Sequence, residues 1–223
     1  MDRVVTRYAA LSGPGWTQRP RQRILLTVLD IPNNVRQTER REATRREILD
    51  AAWVVAREQG LAQFTLRQVA DRVNMRAPSL YSHFDSKNAI YDAMFADAWT
   101  ECLRVTLAAD VRRPRTARAA LKRYARTFFD FAVSDLARYQ LMNQRTIPGF
   151  EPSPAAYAPA VQALDALRER FAHWGITRPQ DVDLYTAIVG GLVDAQLAND
   201  PGGDRWGRLV DRAMEMYADN LGL

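Results

Sequence analysis

Cysteine is scarce in this chain of 223 residues, which contains only Cys102. A single cysteine cannot form an intrachain disulfide, so the sequence excludes a disulfide-stapled secreted fold and is typical of a reducing cytoplasm. Cys102 also falls within an apolar pattern of helical spacing, which favours packing over nucleophilic chemistry. Histidine is almost as rare, and the two histidines, His83 and His173, lie far apart in the sequence.

Long apolar runs and enzyme motifs are absent as well. No segment approaches the roughly 18 consecutive apolar residues that a membrane-spanning helix needs. The short apolar stretch at residues 24–29 is broken by Thr27 and begins too late for a signal peptide. The motifs H-E-x-x-H and G-x-S-x-G, the P-loop and the dinucleotide fingerprint are missing. The sequence therefore predicts a cytoplasmic protein with no membrane contact, no cofactor, no metal site and no catalytic residue.

Positive charge is concentrated at the front of the chain. Residues 1–46 contain ten arginines against four acidic residues, whereas residues 47–223 contain 21 basic and 22 acidic residues. A solubilising tail would explain this excess, and so would an arm or helix that binds phosphate groups. Residues 1–37 show no lasting period, so we expect a flexible basic extension there, with one short helix around residues 22–30. A translation start placed too early is an equally open interpretation.

From about residue 40 onwards, apolar residues recur at helical spacing, without a convincing strand or an internal repeat. Glycine, proline and capping residues mark the boundaries of nine predicted helices. These cover about 40–59, 65–73, 77–84, 86–109, 116–134, 136–145, 155–173, 179–198 and 204–221. The fold class is therefore all-α, with a helix-turn-helix head over residues 38–86 and a helical-bundle body over residues 87–223.

The two short helices at 65–73 and 77–84 are joined by a tight turn, as in a helix-turn-helix. Thr65 and Gln68 form a capping box, and Asn74 stands where the backbone must become left-handed. Ala70 is small, as the close crossing of the two helices requires. Four apolar residues can form their shared core: Val69, Val73, Leu80 and Phe84. Such a unit places its second helix in the major groove of DNA, where base edges differ in donors and acceptors.

Residues 40–87 resemble the head of the TetR family of transcriptional regulators. The resemblance rests on Gly60, on Thr65-Leu66-Arg67-Gln68-Val69-Ala70 and on Ala77-Pro78-Ser79-Leu80-Tyr81-Ser82-His83-Phe84-Asp85-Ser86-Lys87. The chain departs from the family pattern at Asn74, where glycine is common, at Arg76, where a serine or threonine cap is common, and at Ser82, where many members have a larger residue. The body resembles the family only in the number and length of its helices.

The resemblance implies that ten head residues act on DNA. Thr65, Tyr81 and Lys87 match positions that contact phosphate, and Arg67 matches a position where some members read a base. The full set is Thr65, Arg67, Arg76, Ala77, Pro78, Ser79, Tyr81, Ser82, His83 and Lys87. Arg67 could equally be a solvated surface charge, and His83 could equally be a structural histidine.

Aromatic and sulfur side chains are frequent in the body, where the resemblance implies a cavity for a small hydrophobic effector. Candidate ligand-binding residues are Trp99, Tyr124, Phe128, Phe131, Met142, Trp174 and Tyr185. For each of them, a place in the ordinary core is the alternative.

The last two predicted helices carry apolar stripes. One stripe comprises Leu184, Ile188, Val189, Leu192 and Val193, and the other comprises Trp206, Leu209, Val210, Ala213, Met216 and Tyr217. The resemblance implies a homodimer through about residues 179–221, with Gly190-Gly191 permitting close approach. Burial of both stripes within one chain is the alternative.

Taken together, these features predict a TetR-type regulator, most simply a repressor. It would bind a palindromic double-stranded DNA operator as a homodimer and would be released by a small-molecule effector. The alternative is a helical protein-interaction module without DNA binding. Residues 76–84 contain no acidic residue, which favours DNA.

Overall fold

The computed structural model describes residues 33–109 and 114–223, which fold into nine α-helices without a strand. The helices are α1 (Asn33–Gln59), α2 (Leu66–Arg72), α3 (Ala77–Leu80), α4 (Lys87–Ala108), α5 (Ala117–Val133), α6 (Leu136–Asn143), α7 (Pro154–His173), α8 (Pro179–Asn199) and α9 (Val210–Leu221). A 3₁₀ turn, Gly207–Leu209, precedes α9. The prediction of an all-α fold is confirmed. No helix in these two stretches is both long and apolar enough to cross a lipid bilayer.

Helix α1 begins earlier than the sequence predicted. It starts at Asn33, inside the segment 1–37 that was assigned to a flexible extension, rather than near Arg40. Residues 35–43 are all exposed, so this part of the helix has no apolar stripe that could reveal it in the sequence. Residues 1–32, and with them the short helix expected around residues 22–30, lie outside the described residues.

The predicted turn and capping residues have the predicted geometry. Gly60 has a φ of +80° and donates its N–H to the carbonyl of Ala56 at 3.0 Å, which ends α1. Asn74 has a φ of +53°, the left-handed conformation that asparagine tolerates. At the start of α2, Thr65 Oγ1 accepts from the N–H of Gln68, and Gln68 Oε1 accepts from the N–H of Thr65. These local contacts fix where the head helices begin and end.

Two clusters of buried side chains hold the fold together. The head core includes Ile48, Val69 and Leu80, and it continues through Ile90 and Tyr91 of α4 into the body. The body core lies among α5, α7, α8 and α9 and includes Leu121, Phe171, Val193, Val210 and Met214. Complete burial of one such aliphatic or aromatic side chain stabilises a fold by about 1.5–3 kcal/mol. Helix α4 packs against both α1 and α7, and it therefore joins the head to the body.

A buried polar contact connects α8 to the start of α9. Gln196 is 2% exposed, and its Oε1 accepts hydrogen bonds from the backbone N–H groups of Trp206 at 2.9 Å and Gly207 at 3.2 Å. Its Nε2 donates to the backbone carbonyl of Asp200. One side chain thus satisfies backbone groups at both ends of the loop between the two helices.

Candidate DNA-binding head and body cavity

The second helix of the helix-turn-helix is short. Helix α3 ends at Leu80, and residues 81–83 continue it as turns, closed by a 2.8 Å hydrogen bond from the N–H of Phe84 to the carbonyl of Leu80. Arg76 provides no side-chain cap at its start, as its departure from the family pattern predicted. Leu80 and Phe84 are both buried, so packing rather than capping holds α3 in place.

Two arginines of α1 brace the end of α3. Arg41 Nη2 donates to the carbonyl of Ser82 at 3.3 Å, and Arg45 Nη1 donates to the carbonyl of His83. The Arg45 guanidinium also lies 4.1 Å from the centre of the Phe84 ring. Cations at the last carbonyls of a helix satisfy acceptors that have no partner within the helix. The sequence analysis counted these two arginines only as part of the positive excess of residues 1–46 and did not predict that they contact the end of α3.

Most of the predicted DNA-contacting residues lie at the surface of the head. Seven are exposed, namely Thr65, Arg67, Arg76, Pro78, Ser79, Tyr81 and Ser82, whereas Ala77, His83 and Lys87 are half-buried. The Arg67 side chain is 88% exposed and makes one long ion pair, 4.0 Å, with Asp71. Tyr81 is 54% exposed. The predicted residues on α2 and α3 are thus mostly accessible to a partner molecule.

Lys87 is the first residue of α4. Its Nζ lies 5.6 Å from the centre of the Phe64 ring and 5.3 Å from that of Tyr91. Partial burial lowers the pKa of Lys87, whereas the two ring faces favour its charged form. Tyr91 is itself fixed, because its hydroxyl donates to the carbonyl of Leu61 at 2.7 Å. The ammonium group thus lies near two aromatic faces at the start of α4.

A cavity of about 290 Å³ lies in the body between α4, α5, α6, α7 and α8. Four predicted ligand-binding residues line it: Trp99, Tyr124, Phe128 and Tyr185. The other three lie elsewhere, because Phe131 and Met142 are buried in the head core and Trp174 packs against the body core. The lining is mainly apolar and aromatic, as is usual for small-molecule sites.

Sequence reasoning missed several residues that line the cavity, including Tyr139, Asn143, Tyr157 and Arg170. Arg170 follows Leu167 by about one helical turn on the apolar stripe of α7, so a charge on an apolar stripe was the available signal. Its guanidinium lies 5.5 Å from the centre of the Tyr124 ring. Cys102 also lines the cavity, and burial raises the pKa of its thiol to about 12, which keeps the sulfur protonated.

Two ion pairs tie α1 to the helices that surround the cavity. Arg46 Nη1 lies 2.6 Å from Asp97 of α4, and Trp53 Nε1 donates to the same carboxylate at 3.1 Å. Arg57 Nε donates at 2.8 Å to Asp135, which also caps α6 by accepting from the N–H of Arg138. A displacement of α4 or α6 at the cavity would therefore move or strain α1 through these two ion pairs.

Each apolar stripe of α8 and α9 divides between the interior and the surface. Val189, Val193, Val210 and Tyr217 are buried in the body core, which is the outcome expected from burial within one chain. Leu184 and Met216 remain 45% and 64% exposed. Together with the half-buried residues Ile188, Leu192, Leu209 and Ala213, they form what we term the outer apolar face.

Comparison with known proteins finds sequence matches to the head. Residues 48–94 match the profile of the family described as bacterial regulatory proteins, tetR family. The HTH-type transcriptional repressor KstR2 of Rhodococcus jostii (strain RHA1) is 40% identical over 55 residues, which cover 25% of this chain and 27% of that protein. The chain thus matches only about a quarter of the length of this curated relative.

Solved structures resemble the chain over most of its length. A TetR family transcription regulator from Marinobacter aquaeolei VT8 has a TM-score of 0.59 at 16% identity, covering 82% of this chain and 97% of that one. The regulator FadR from Bacillus subtilis, in complex with stearoyl-CoA, has a TM-score of 0.60 at 16% identity, covering 77% and 96%. At these identities the likeness concerns the fold.

Proposed function

We propose that the chain is a transcriptional repressor of the TetR family that binds operator DNA, because its head matches that family over residues 48–94 and its fold resembles that of a solved TetR family regulator. The observation that carries this proposal is the braced α3, which leaves Pro78, Ser79 and Tyr81 exposed to solvent. Hydroxyl groups and cations are suited to phosphates and base edges. Repression is proposed because the relative KstR2 is a repressor. Such a protein acts in the cytoplasm, where bacterial DNA lies.

The outer apolar face supports a homodimer. Leu184, Ile188 and Leu192 follow one side of α8, and exposed apolar surface of this kind marks protein interfaces. A Cβ atom at the exposed Gly191 would meet no other atom within 4 Å of its own chain. The missing side chain therefore has no packing role within the chain, but it allows a second copy to approach closely. Two-fold symmetry of the dimer then requires a roughly palindromic operator.

The cavity supports a small-molecule effector that is largely hydrophobic. Its volume is near the lower end of the range for ligand sites, roughly 300–1,000 Å³. Helices α4 and α6 line the cavity and also contact α1, so an occupant can shift the spacing of the two heads in a dimer. Helix α4 would transmit this shift, because it contacts both the head and the body. The effector must bind the form with low DNA affinity more tightly, or it shifts nothing.

Selection from random DNA tests the function. We expect the full chain to enrich a palindromic site, and a mobility shift to show retention of that site over random duplex. Compounds that enter the cavity are then expected to release the site. Enrichment of no sequence would favour the alternative of a helical interaction module. A ligand that occupies the cavity while the operator remains equally tightly bound would contradict the effector role for that ligand.

Charge on the outer apolar face is expected to separate the dimer. Leu184→Glu combined with Met216→Glu places two carboxylates per chain where the copies meet, and burying an unpaired charge costs several kcal/mol. We expect a monomer by light scattering at micromolar concentration, with unchanged helix content. Leu107→Glu is the matched control, because Leu107 is 51% exposed on α4, outside this face. A wild-type chain that is already monomeric would contradict the proposed dimer.

A further inference from the structure

One side chain of the body cavity has a buried hydrogen-bond donor without an acceptor. Trp99 of α4 lines the cavity, and its indole Nε1 is buried with no hydrogen-bond partner in the part of the chain that the structure describes. A buried donor without a partner is unfavourable, so an acceptor placed beside it in the cavity would stabilise it. The indole N–H can only donate, and the complementary group is therefore an acceptor.

Two hydroxyl groups of the cavity lining differ from Trp99, because their hydrogens already have acceptors. Thr106 Oγ1 donates to the carbonyl of Cys102 at 2.9 Å, within α4. Thr186 Oγ1 donates to the carbonyl of Asp183 at 2.9 Å, within α8. Both bonds are local to a helix and need no ligand, whereas the N–H of Trp99 has no such acceptor.

We propose that Trp99 Nε1 donates a hydrogen bond to the effector, and that the effector is an apolar molecule bearing a carbonyl or carboxylate oxygen. This inference rests on the proposed function, because it names the chemistry that the same cavity recognises. The apolar part matches the aromatic and aliphatic lining, and the lining residue Tyr157, which is 52% exposed, connects the cavity to solvent. A hydrocarbon of equal size would leave Nε1 without an acceptor, so the site should prefer the oxygen-bearing molecule.

The position of Trp99 also connects the proposed contact to the head. Asp97 pairs with Arg46 and accepts from Trp53, both of which belong to α1. At about 100° per residue, Asp97 and Trp99 lie about 200° apart around α4, which places them on nearly opposite sides of the helix. The same turn of α4 therefore contacts α1 on one side and the cavity on the other. A ligand held by Trp99 acts on α4 at the level of its contact with α1.

The test compares ketones with hydrocarbons of nearly the same shape, using calorimetry on the full chain. The matched pairs are benzophenone with diphenylmethane and acetophenone with ethylbenzene. We expect the wild type to bind the better-fitting ketone about three- to tenfold more tightly than its hydrocarbon partner. Trp99→Phe removes the donor and keeps an aromatic ring, so it should abolish this preference while binding the hydrocarbon nearly as the wild type does. Trp174→Phe is the matched control, because Trp174 packs against the body core, and it should keep the preference.

The indole N–H resonance gives a direct measure of the contact. The chain has five tryptophans, and the signal that disappears in Trp99→Phe is that of Trp99. Bound ketone should move this signal downfield relative to bound hydrocarbon. The carboxylate diphenylacetate separates the two sources of the oxygen, since tighter binding than that of benzophenone assigns a charged acceptor and weaker binding assigns a neutral one.

The outcomes distinguish this inference from the proposed function. If the wild type prefers neither ketone, or if the preference survives in Trp99→Phe, the inference is overturned while the proposed function stands. A ketone that is bound through Trp99 but leaves operator affinity unchanged would contradict the effector role for that ligand and leave the hydrogen bond in place.

Discussion

Lys87→Ala is expected to weaken binding to operator and to random DNA by similar factors, on the order of tenfold or more for a dimer in which each copy binds one phosphate fewer. The ammonium group lies 5.6 Å and 5.3 Å from the ring centres of Phe64 and Tyr91 at the start of α4. A cation in this position suits a phosphate, and binding to a phosphate does not depend on sequence. The measurement is affinity on both DNAs over a salt series, in which the slope should flatten by about one unit for each phosphate that is no longer bound.

Arg67→Ala is expected to behave differently on the same two DNAs. The loss should be about 1–3 kcal/mol on the operator and much smaller on random DNA, with relaxed preference at one position per half-site. The reason is the exposed guanidinium, which can reach the two acceptors of a guanine edge. Arg72→Ala is the matched control on the same helix, because Arg72 is paired with Glu58. Equal losses on both DNAs would make Arg67 a phosphate-binding residue and leave Arg76, Ser79 and Ser82 as the candidates for base reading.

Gln196→Met is expected to lower the free energy of unfolding by about 2–5 kcal/mol, because the buried N–H of Gly207 and the partly buried N–H of Trp206 would lose their acceptor. Methionine has a similar length and keeps the volume filled, so the loss reports the hydrogen bonds rather than a cavity. The measurement is denaturant unfolding at a fixed protein concentration, since dimerisation contributes to apparent stability.

Gln162→Met is the control for the same substitution at an exposed position, on α7, and should change the free energy of unfolding by less than about 0.5 kcal/mol. Equal stability of the two variants would show that the loop before α9 finds other acceptors. Because Leu209 of the outer apolar face lies in that loop region, Gln196→Met should also weaken dimerisation.

Local features of the head were predictable because each depends on neighbours in the sequence. The capping box of Thr65 and Gln68 spans one turn, and the left-handed Asn74 reflects the preference of a single residue. The brace from Arg41 and Arg45 was not predictable, since it joins residues about 40 positions apart that no periodicity connects. The first turns of α1 were missed for a related reason, because a helix without a buried side shows no apolar stripe.

The cavity was only partly predictable, because an apolar side chain has the same helical pattern whether it faces a core or an empty space. Phe128 and Phe131 illustrate this, as they are neighbours on α5 and yet one lines the cavity and the other joins the head core. Small differences in helix rotation decide between these positions, and the sequence carries no direct record of them. On α8, Leu184 is likewise exposed while Val189 is buried, although both belong to the same apolar stripe.

The continuity of the head core through α4 limits how the head of this chain can be combined with another body. Ile90, Tyr91 and Met94 fill the interior of the head, and they share that interior with Phe131 and Leu141 of the body. A chimera joined between Ser86 and Lys87 would transfer the helix-turn-helix without the α4 side chains that complete its hydrophobic core. We therefore expect specificity for an operator and response to a chemical signal to be exchangeable only when the graft carries α4 and its contacts with α7, α5 and α6 are repacked.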